Sequence, residues 1–274
     1  MNKFGPTLLL AFASAGALAQ DPPSWTRPVA PFRLVGPVHY VGTEGLAAYL
    51  IKTPAGAVLV DGTLPGNVPA IERSLAREGV RPRDVKLLLL SHAHFDHAGG
   101  LARLRRDTGA RLVVGAGDAA AVRTGVPPGE TSYGVIRFPR APVDRAIRDG
   151  ERMTLGGVAL TAVATPGHTP GCTSWRMRVA ERGRPLDVLF LCSLTVAGNK
   201  LVGNARYPEI VADFRRSFAK LRGMCADVVL PFHPEQARLF ERRREERLVD
   251  PALLPRLVAD AERDFDAELA KQGG

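Results

Sequence analysis

The stretch Val85-Lys86-Leu87-Leu88-Leu89-Leu90-Ser91-His92-Ala93-His94-Phe95-Asp96-His97-Ala98-Gly99-Gly100 decides how this chain is read. Its first part is a short apolar run bounded upstream by Arg81-Pro82-Arg83-Asp84, the pattern of a buried strand. Ser91 and the Gly99-Gly100 pair mark a loop leaving the strand's carboxyl end, where α/β proteins place their sites. That loop carries three imidazoles and a carboxylate at positions 92, 94, 96 and 97. A single buried histidine is commonly a hydrogen-bonded core residue. Three of them with an aspartate at this spacing are a ligand set, and neutral imidazole with carboxylate suits Zn²⁺.

The chain has six histidines, so few partners remain for the cluster. His168 sits in the turn-rich segment Ala164-Thr165-Pro166-Gly167-His168-Thr169-Pro170-Gly171, after the alternating stretch 158–163. His233 sits in Leu230-Pro231-Phe232-His233-Pro234-Glu235, after the apolar run 227–230. Both repeat the arrangement of a strand followed by a loop offering a histidine, and such loops can converge on one cleft. His39 lies inside the strand-like run Val38-His39-Tyr40-Val41 and reads as structural.

The ordered set H-x-H-x-D-H, Gly167-His168-Thr169 and His233 resembles the metallo-β-lactamase superfamily, and the resemblance runs from about Val38 to His233. Asp61 in Val58-Leu59-Val60-Asp61-Gly62 is similar to that superfamily's early aspartate, which supports the metal loop. Most of its thioesterases, lactonases and nucleases place a metal-bridging Asp after the strand between the last two histidine motifs. Here the strand candidate 186–191 is followed by Cys192-Ser193-Leu194-Thr195, and Asp187 lies at its start. A Ser at this place resembles the third subclass of class B β-lactamases. A shift of one residue in register would instead present Cys192 as a thiolate ligand.

The resemblance implies an α/β fold, a four-layer αβ/βα sandwich of two pseudo-repeated halves. It implies two Zn²⁺ per chain: one held by His92, His94 and His168 with an open position for water, the other by Asp96, His97 and His233. Three imidazoles with an open position bring the pKa of bound water to about 7. The expected activity is hydrolysis of the β-lactam amide in penicillins, cephalosporins and carbapenems by a metal-bound hydroxide. No covalent enzyme intermediate forms, and the outcome is antibiotic resistance. Asp96 would orient the hydroxide and accept its proton. Ser193 and Thr195 are candidates for the substrate carboxylate, and Asn199 for an oxyanion donor at the lactam carbonyl. Asp61 would accept a ligand imidazole's second N–H. A lactonase or glyoxalase II-like thioesterase is the nearer alternative. A non-catalytic zinc-binding protein is the further one.

Composition bounds the rest. With 274 residues and 45% hydrophobic content the chain can bury one sizeable core or two fused halves. Lys3, the apolar stretch 8–18 and Ala17-Leu18-Ala19-Gln20 read as a secretory signal over 1–19, too short to span a membrane. The mature chain, 20–274, is expected as a single domain in a Gram-negative periplasm, monomeric and without a membrane anchor. Cys172, Cys192 and Cys225 are an odd number for an exported protein. Cys172 and Cys192 both fall near predicted strand ends beside the site. The third subclass often pairs a Cys at the position of Cys225 with one in the C-terminal helix, and no Cys follows 225 here. The formal charge is +9, and removal of Lys3 leaves 36 basic against 28 acidic residues. Arginines are scattered and only 6% of residues are aromatic, which argues against nucleic acid and for solvated helix faces. A positive field of this kind can draw anionic β-lactams inward.

Along the chain, 38–60 gives alternating strands. A helix follows at Val68–Glu78, opened by Asn67 or Gly66 and stopped by Gly79. After the metal strand come a helix over 100–108 and a strand at 112–114. Residues 123–142, rich in Gly and Pro with Tyr133, Ile136 and Phe138, read as a long loop able to wall the substrate cleft. Strands recur at 145–163, 173–179 and 186–191, then a helix at 208–222. A final helix is expected over 250–270, with Asp250 as cap and Pro251 at its first position. Residues 20–37 read as an extended arm. Lys200 reads as a solvated surface lysine.

Overall fold

Two β-sheets stack face to face, and helices cover both outer surfaces. The computed structural model describes residues 21–274, so the signal assigned to 1–19 lies outside it. The first sheet runs in chain order: β1 (Phe32–Val35), β2 (Val38–Tyr40), β3 (Tyr49–Thr53), β4 (Gly56–Val60), β5 (Val85–Leu89), β6 (Arg111–Gly115) and β7 (Arg145–Ile147). Its first four strands pair antiparallel, and β4 to β7 pair parallel. The second sheet comprises β8 (Arg152–Leu155), β9 (Val158–Ala164), β10 (Thr173–Glu181), β11 (Arg184–Leu191) and β12 (Val228–Pro231), with only β11 and β12 parallel.

Side-chain alternation explains the layers. On β5, Leu87 and Leu89 enter the core between the sheets, where they join Tyr49, Trp175 and Phe190. Leu88 and Leu90 face the other way, against α1 (Val68–Arg77), α3 (Leu101–Thr108) and α4 (Ala119–Thr124). A central strand buried on both faces needs an unbroken apolar run, and that is why 87–90 reads as one. On the far side, Leu189, Leu191 and Val229 pack against Phe214 and Phe218 of α5 (Ile210–Arg222) and Phe265 of α7 (Leu253–Lys271). The result is the four-layer α/β sandwich the resemblance implied.

Several local expectations need correction. The metal-binding hexapeptide does not stay a loop: Phe95–Ala98 forms a single helical turn, α2. The arm over 20–37 ends in β1, because Phe32 can stack on Tyr40 and close the sheet edge. The last helix begins at Leu253, not at Pro251; Asp250 instead turns the chain by accepting the Ala252 N–H at 3.1 Å. A short helix, α6 (Leu239–Arg244), and the Ala-rich α4 carried no clear periodic signal. The long loop after α4 is present, and 125–144 contains no regular element.

Candidate metal centre

The ends of β4, β5, β9 and β12 bring five histidines and two carboxylates, Asp61 and Asp96, to one point. Two triangles of ligand atoms result. In one, His94 Nδ1 lies 3.0 Å from His168 Nε2, and His92 completes a buried three-histidine group. In the other, Asp96 Oδ2, His97 Nε2 and His233 Nε2 stand 3.1, 3.1 and 3.3 Å apart. Ligands of one tetrahedral ion with bonds of about 2.0–2.1 Å are separated by roughly 3.3 Å.

The proton positions fit a cation at each triangle. His168 Nδ1 donates to the Thr195 carbonyl at 2.7 Å, which leaves Nε2 as a lone pair facing the cluster. His97 Nδ1 faces Asp61 Oδ2 at 2.9 Å, so its Nε2 points inward, where a bound ion would replace a proton. His92 Nδ1 faces Ser91 Oγ at 3.0 Å, while its Nε2 is buried without a hydrogen-bond partner. Converging lone pairs and orphaned buried nitrogens are costly unless something positive binds them.

Electrostatics separates the two groups. Burial, reinforced by neighbouring imidazoles, drives His92 and His168 well below the ordinary histidine range and His94 down to about 4. These three are therefore neutral at pH 7, as ligands must be. For His97, burial disfavours charge but is outweighed by Asp96 and Asp61, and its pKa rises to about 10. Burial likewise opposes the charge on Asp96, yet His97 and His233 hold it well below the usual carboxylate range.

Two fully buried carboxylates brace the ligand loops. Asp61, held at φ +65° in the left-handed region, accepts Ser91 N–H and Ser91 O–H at 2.6 Å each besides facing His97. Burial raises its pKa, against the pull of His97 and Ser91. Asp118, just past β6, accepts Ala93 N–H at 2.8 Å, Thr169 O–H at 2.7 Å and Gly171 N–H at 2.8 Å. No local signal marks Asp118, because an acid after Gly115-Ala116-Gly117 at a strand end has the pattern of an ordinary turn residue.

The remaining candidates separate. Ser193 Oγ and Thr195 Oγ1 lie 3.0 Å apart, and Thr195 lines the cleft. Asn199 does something else. Its amide donates to the His168 carbonyl at 3.1 Å and the Val196 carbonyl at 2.8 Å, and the residue is buried. Both hydrogens are thus committed to holding the loop, and none is left for an oxyanion. Cys172 and Cys192 form a disulfide, which removes Cys192 as a thiolate ligand, and Cys225 is free and exposed. His39 faces Glu78 Oε2 at 2.8 Å, away from the centre. Lys200 is a surface residue paired with Glu130.

Residues 42–233 match the metallo-beta-lactamase superfamily. The chain belongs to that superfamily of metal-dependent hydrolases. It is similar to the subclass B3 metallo-beta-lactamase BJP-1 of Bradyrhizobium japonicum, at 41% identity over 92% of this chain and 97% of that one, with a TM-score of 0.87. It is also similar to FEZ-1 of Legionella gormanii, at 36% identity over 90% and 98% of the two chains and a TM-score of 0.84. Among curated relatives, a hydroxyacylglutathione hydrolase of Anaeromyxobacter dehalogenans is 37% identical over 123 residues, 45% of this chain and 38% of that enzyme. The match thus covers between 26% and 69% of the length of such curated relatives.

Above the metal centre lies a cleft of about 850 Å³. Trp25, Phe95, Tyr133, Val135 and Ile136 form its apolar walls, and the Trp25 ring centre lies 5.6 Å from that of His233. The charge pattern departs from expectation. Among the described lining residues there is no Lys or Arg, although the chain carries 37; the ionisable side chains other than histidine are Asp21, Asp96, Tyr133 and Glu235. The overall positive charge therefore does not extend to the cleft wall. Among the described residues no helix is long and apolar enough to cross a membrane.

Proposed function

We propose that the protein is a zinc-dependent β-lactamase of subclass B3 type with two zinc ions. One would be held by His92, His94 and His168, the other by Asp96, His97 and His233. The observation that carries the reading is the end of β11. There the chain offers a disulfide and a Ser193 hydroxyl, and the second ligand triangle is complete without any bridging carboxylate. The near full-length similarity to B3 enzymes supports the same choice.

When bound, zinc supplies the Lewis acidity that makes water a nucleophile near neutral pH. The chain's own groups do the rest. Asp96, kept ionised, accepts the proton of the attacking water and returns it to the departing lactam nitrogen. Ser193 and Thr195 present hydroxyls to the substrate carboxylate. Trp25 and the 133–136 segment grip apolar substituents and exclude water. Asn199 acts on the site indirectly, by holding the loop behind His168. Penicillins, cephalosporins and carbapenems are the proposed substrates, and resistance to them the proposed outcome. The mature chain is proposed to work in the periplasm, where a disulfide persists.

A thioesterase of the hydroxyacylglutathione type is the second reading, drawn from the partial curated matches. Hydrolysis of a chromogenic cephalosporin, a carbapenem, a lactone and a glutathione thioester separates them, run with zinc, after chelation and after zinc is restored. Zinc-dependent turnover of the two lactams is expected. Turnover of the thioester alone by zinc-loaded protein would replace the lactamase reading.

A further inference from the structure

We propose that Asp118 is the positioning residue of the three-histidine group: one buried carboxylate that locks the two halves of the chain together so that His92, His94 and His168 share a single ion. The inference rests on the two-ion reading above and concerns a residue outside both ligand sets.

All three hydrogen bonds of Asp118 end beside those ligands. Oδ2 takes the N–H of Ala93, the residue between His92 and His94, and the hydroxyl of Thr169, next to His168. Oδ1 takes the N–H of Gly171, three residues past His168. Asp118 follows β6 in the first sheet, whereas Thr169 and Gly171 lie between β9 and β10 of the second. Beside the backbone bond from Thr173 N–H to the Ser91 carbonyl at 2.8 Å, this side chain is what ties Ala93, between His92 and His94, to the His168 loop. Asp61 cannot do this, because its partners, Ser91 and His97, both belong to the first half.

The backbone around Asp118 is built for that contact. A Cβ on Gly171 would lie 2.2 Å from the Asp118 nitrogen, one on Gly115 2.1 Å from the Gly171 carbonyl oxygen, and one on Gly117 2.4 Å from the Pro170 carbonyl oxygen. Three glycines thus press the turn after β6 directly onto the His168 loop, with the carboxylate in the seam. Asp118 is fully buried, yet it has three donors and no basic side chain among its hydrogen-bond partners. Burial of a carboxyl group is expensive unless donors meet it, and no packing argument requires an acid here. Holding two donor-bearing loops in register does.

The expected signature is selective. Outer partners that orient ligands typically contribute 10–100-fold in metal affinity. Asp118→Asn must turn an NH₂ toward at least one of the three donors and should weaken the three-histidine ion by that factor. The Asp96, His97 and His233 ion should change by less than about threefold. Zinc affinity is read by competition with a chromogenic chelator. The His233→Ala background isolates the first ion, and the His168→Ala background the second. Thr169→Val, which removes one donor and keeps the acid, should weaken the first ion in the same sense by a smaller factor, and Thr169→Ser should restore it. These Thr169 variants carry the test if Asp118→Asn does not fold. Equal weakening of both ions, no weakening, or failure of Thr169→Ser to recover what Thr169→Val loses would overturn the proposal. Lactam turnover does not enter the comparison, so failure of the lactamase reading would be seen separately.

Discussion

Replacing Asp61 by Asn tests how a proton on the wrong nitrogen disables a metal ligand. The substitution keeps the size of the side chain, and Asn tolerates the positive φ of this position. Asp61 meets three donors: the Ser91 N–H and O–H, each at 2.6 Å, and His97 Nδ1–H at 2.9 Å. An amide has one oxygen, so its NH₂ must face a donor. If it faces the Ser91 N–H, a buried backbone donor is stranded at a cost of about 1–3 kcal/mol. The cheaper choice puts NH₂ toward Ser91 Oγ and His97. The hydroxyl can turn to accept, but His97 must give up its Nδ1 proton and keep the one on Nε2. There the proton meets Asp96 Oδ2 at 3.1 Å, so the metal-free protein is satisfied and loses little stability. Binding an ion between Asp96, His97 and His233 then requires reversing the tautomer against an unfavourable donor–donor contact. A loss of 10–100-fold in affinity follows, about 1.4–2.8 kcal/mol. The assay is zinc retained per chain at graded chelator strength, with thermal unfolding of the metal-free form alongside. Asp61→Asn that keeps its second zinc within threefold of the parent would refute the tautomer argument. So would a metal-free protein destabilised by several kcal/mol, since that would mean Asp61 mainly holds the fold.

Further expectations concern pH, the disulfide and the cleft wall. Because the pKa of His97 is raised to about 10, a proton competes with the second ion at neutral pH. Its affinity should rise up to tenfold per unit between pH 7 and 9, whereas the first ion, on histidines already neutral, should vary little; isothermal titration at three pH values decides. Asp118 has its carboxyl raised to about 6 by burial, against Thr169, Ala93 and Gly171. A group with a raised folded pKa stabilises most below its unfolded value and loses that contribution as pH climbs through the folded one. The metal-free stability of the parent relative to Asp118→Asn, measured in urea, should therefore fall between pH 4 and 6.5, and a rise in that difference over the window would contradict the assignment. Cys172 and Cys192 are separated by 20 residues. A double change to Ser should cost about 3 kcal/mol by loop entropy, seen as a lower denaturation midpoint, and unchanged stability would remove the disulfide as a brace. On the cleft rim, Glu235→Gln removes a carboxylate whose side chain is 64% exposed. It should improve kcat/KM for anionic lactams about two- to threefold at low salt and less at high salt, and a decrease would place Glu235 in substrate binding.

The candidate ligands were legible in the chain because each follows a strand signal: the apolar run 85–90, the alternation of 158–163 and the short run before His233 are periodic, and strand ends are where loops converge. Asp61 was legible for the same reason. His39, equally a histidine, was separable because it lies mid-strand, where it meets Glu78 and no other ligand. What the chain order could not carry were contacts between positions far apart. The Cys172–Cys192 pairing depends on β10 and β11 standing side by side, a distance that only strand pairing sets. Asn199 reads as a free amide until the fold brings the His168 and Val196 carbonyls to it. The acidic cleft rim in a chain of +9 charge arises because Asp21, Glu235 and Asp96 come from separate segments while the arginines stay on outer faces. Asp118 is the sharpest case. Periodicity marks which face a side chain takes, but three hydrogen bonds spanning 25 to 53 residues exist only once two sheets have been stacked. Sequence by itself determined the main strands and the candidate metal-binding residue set, since both are written in local pattern and residue type. Tertiary structure decided tautomers, charge at the cleft and which carboxylates brace which ligand, because those depend on distances across the sandwich.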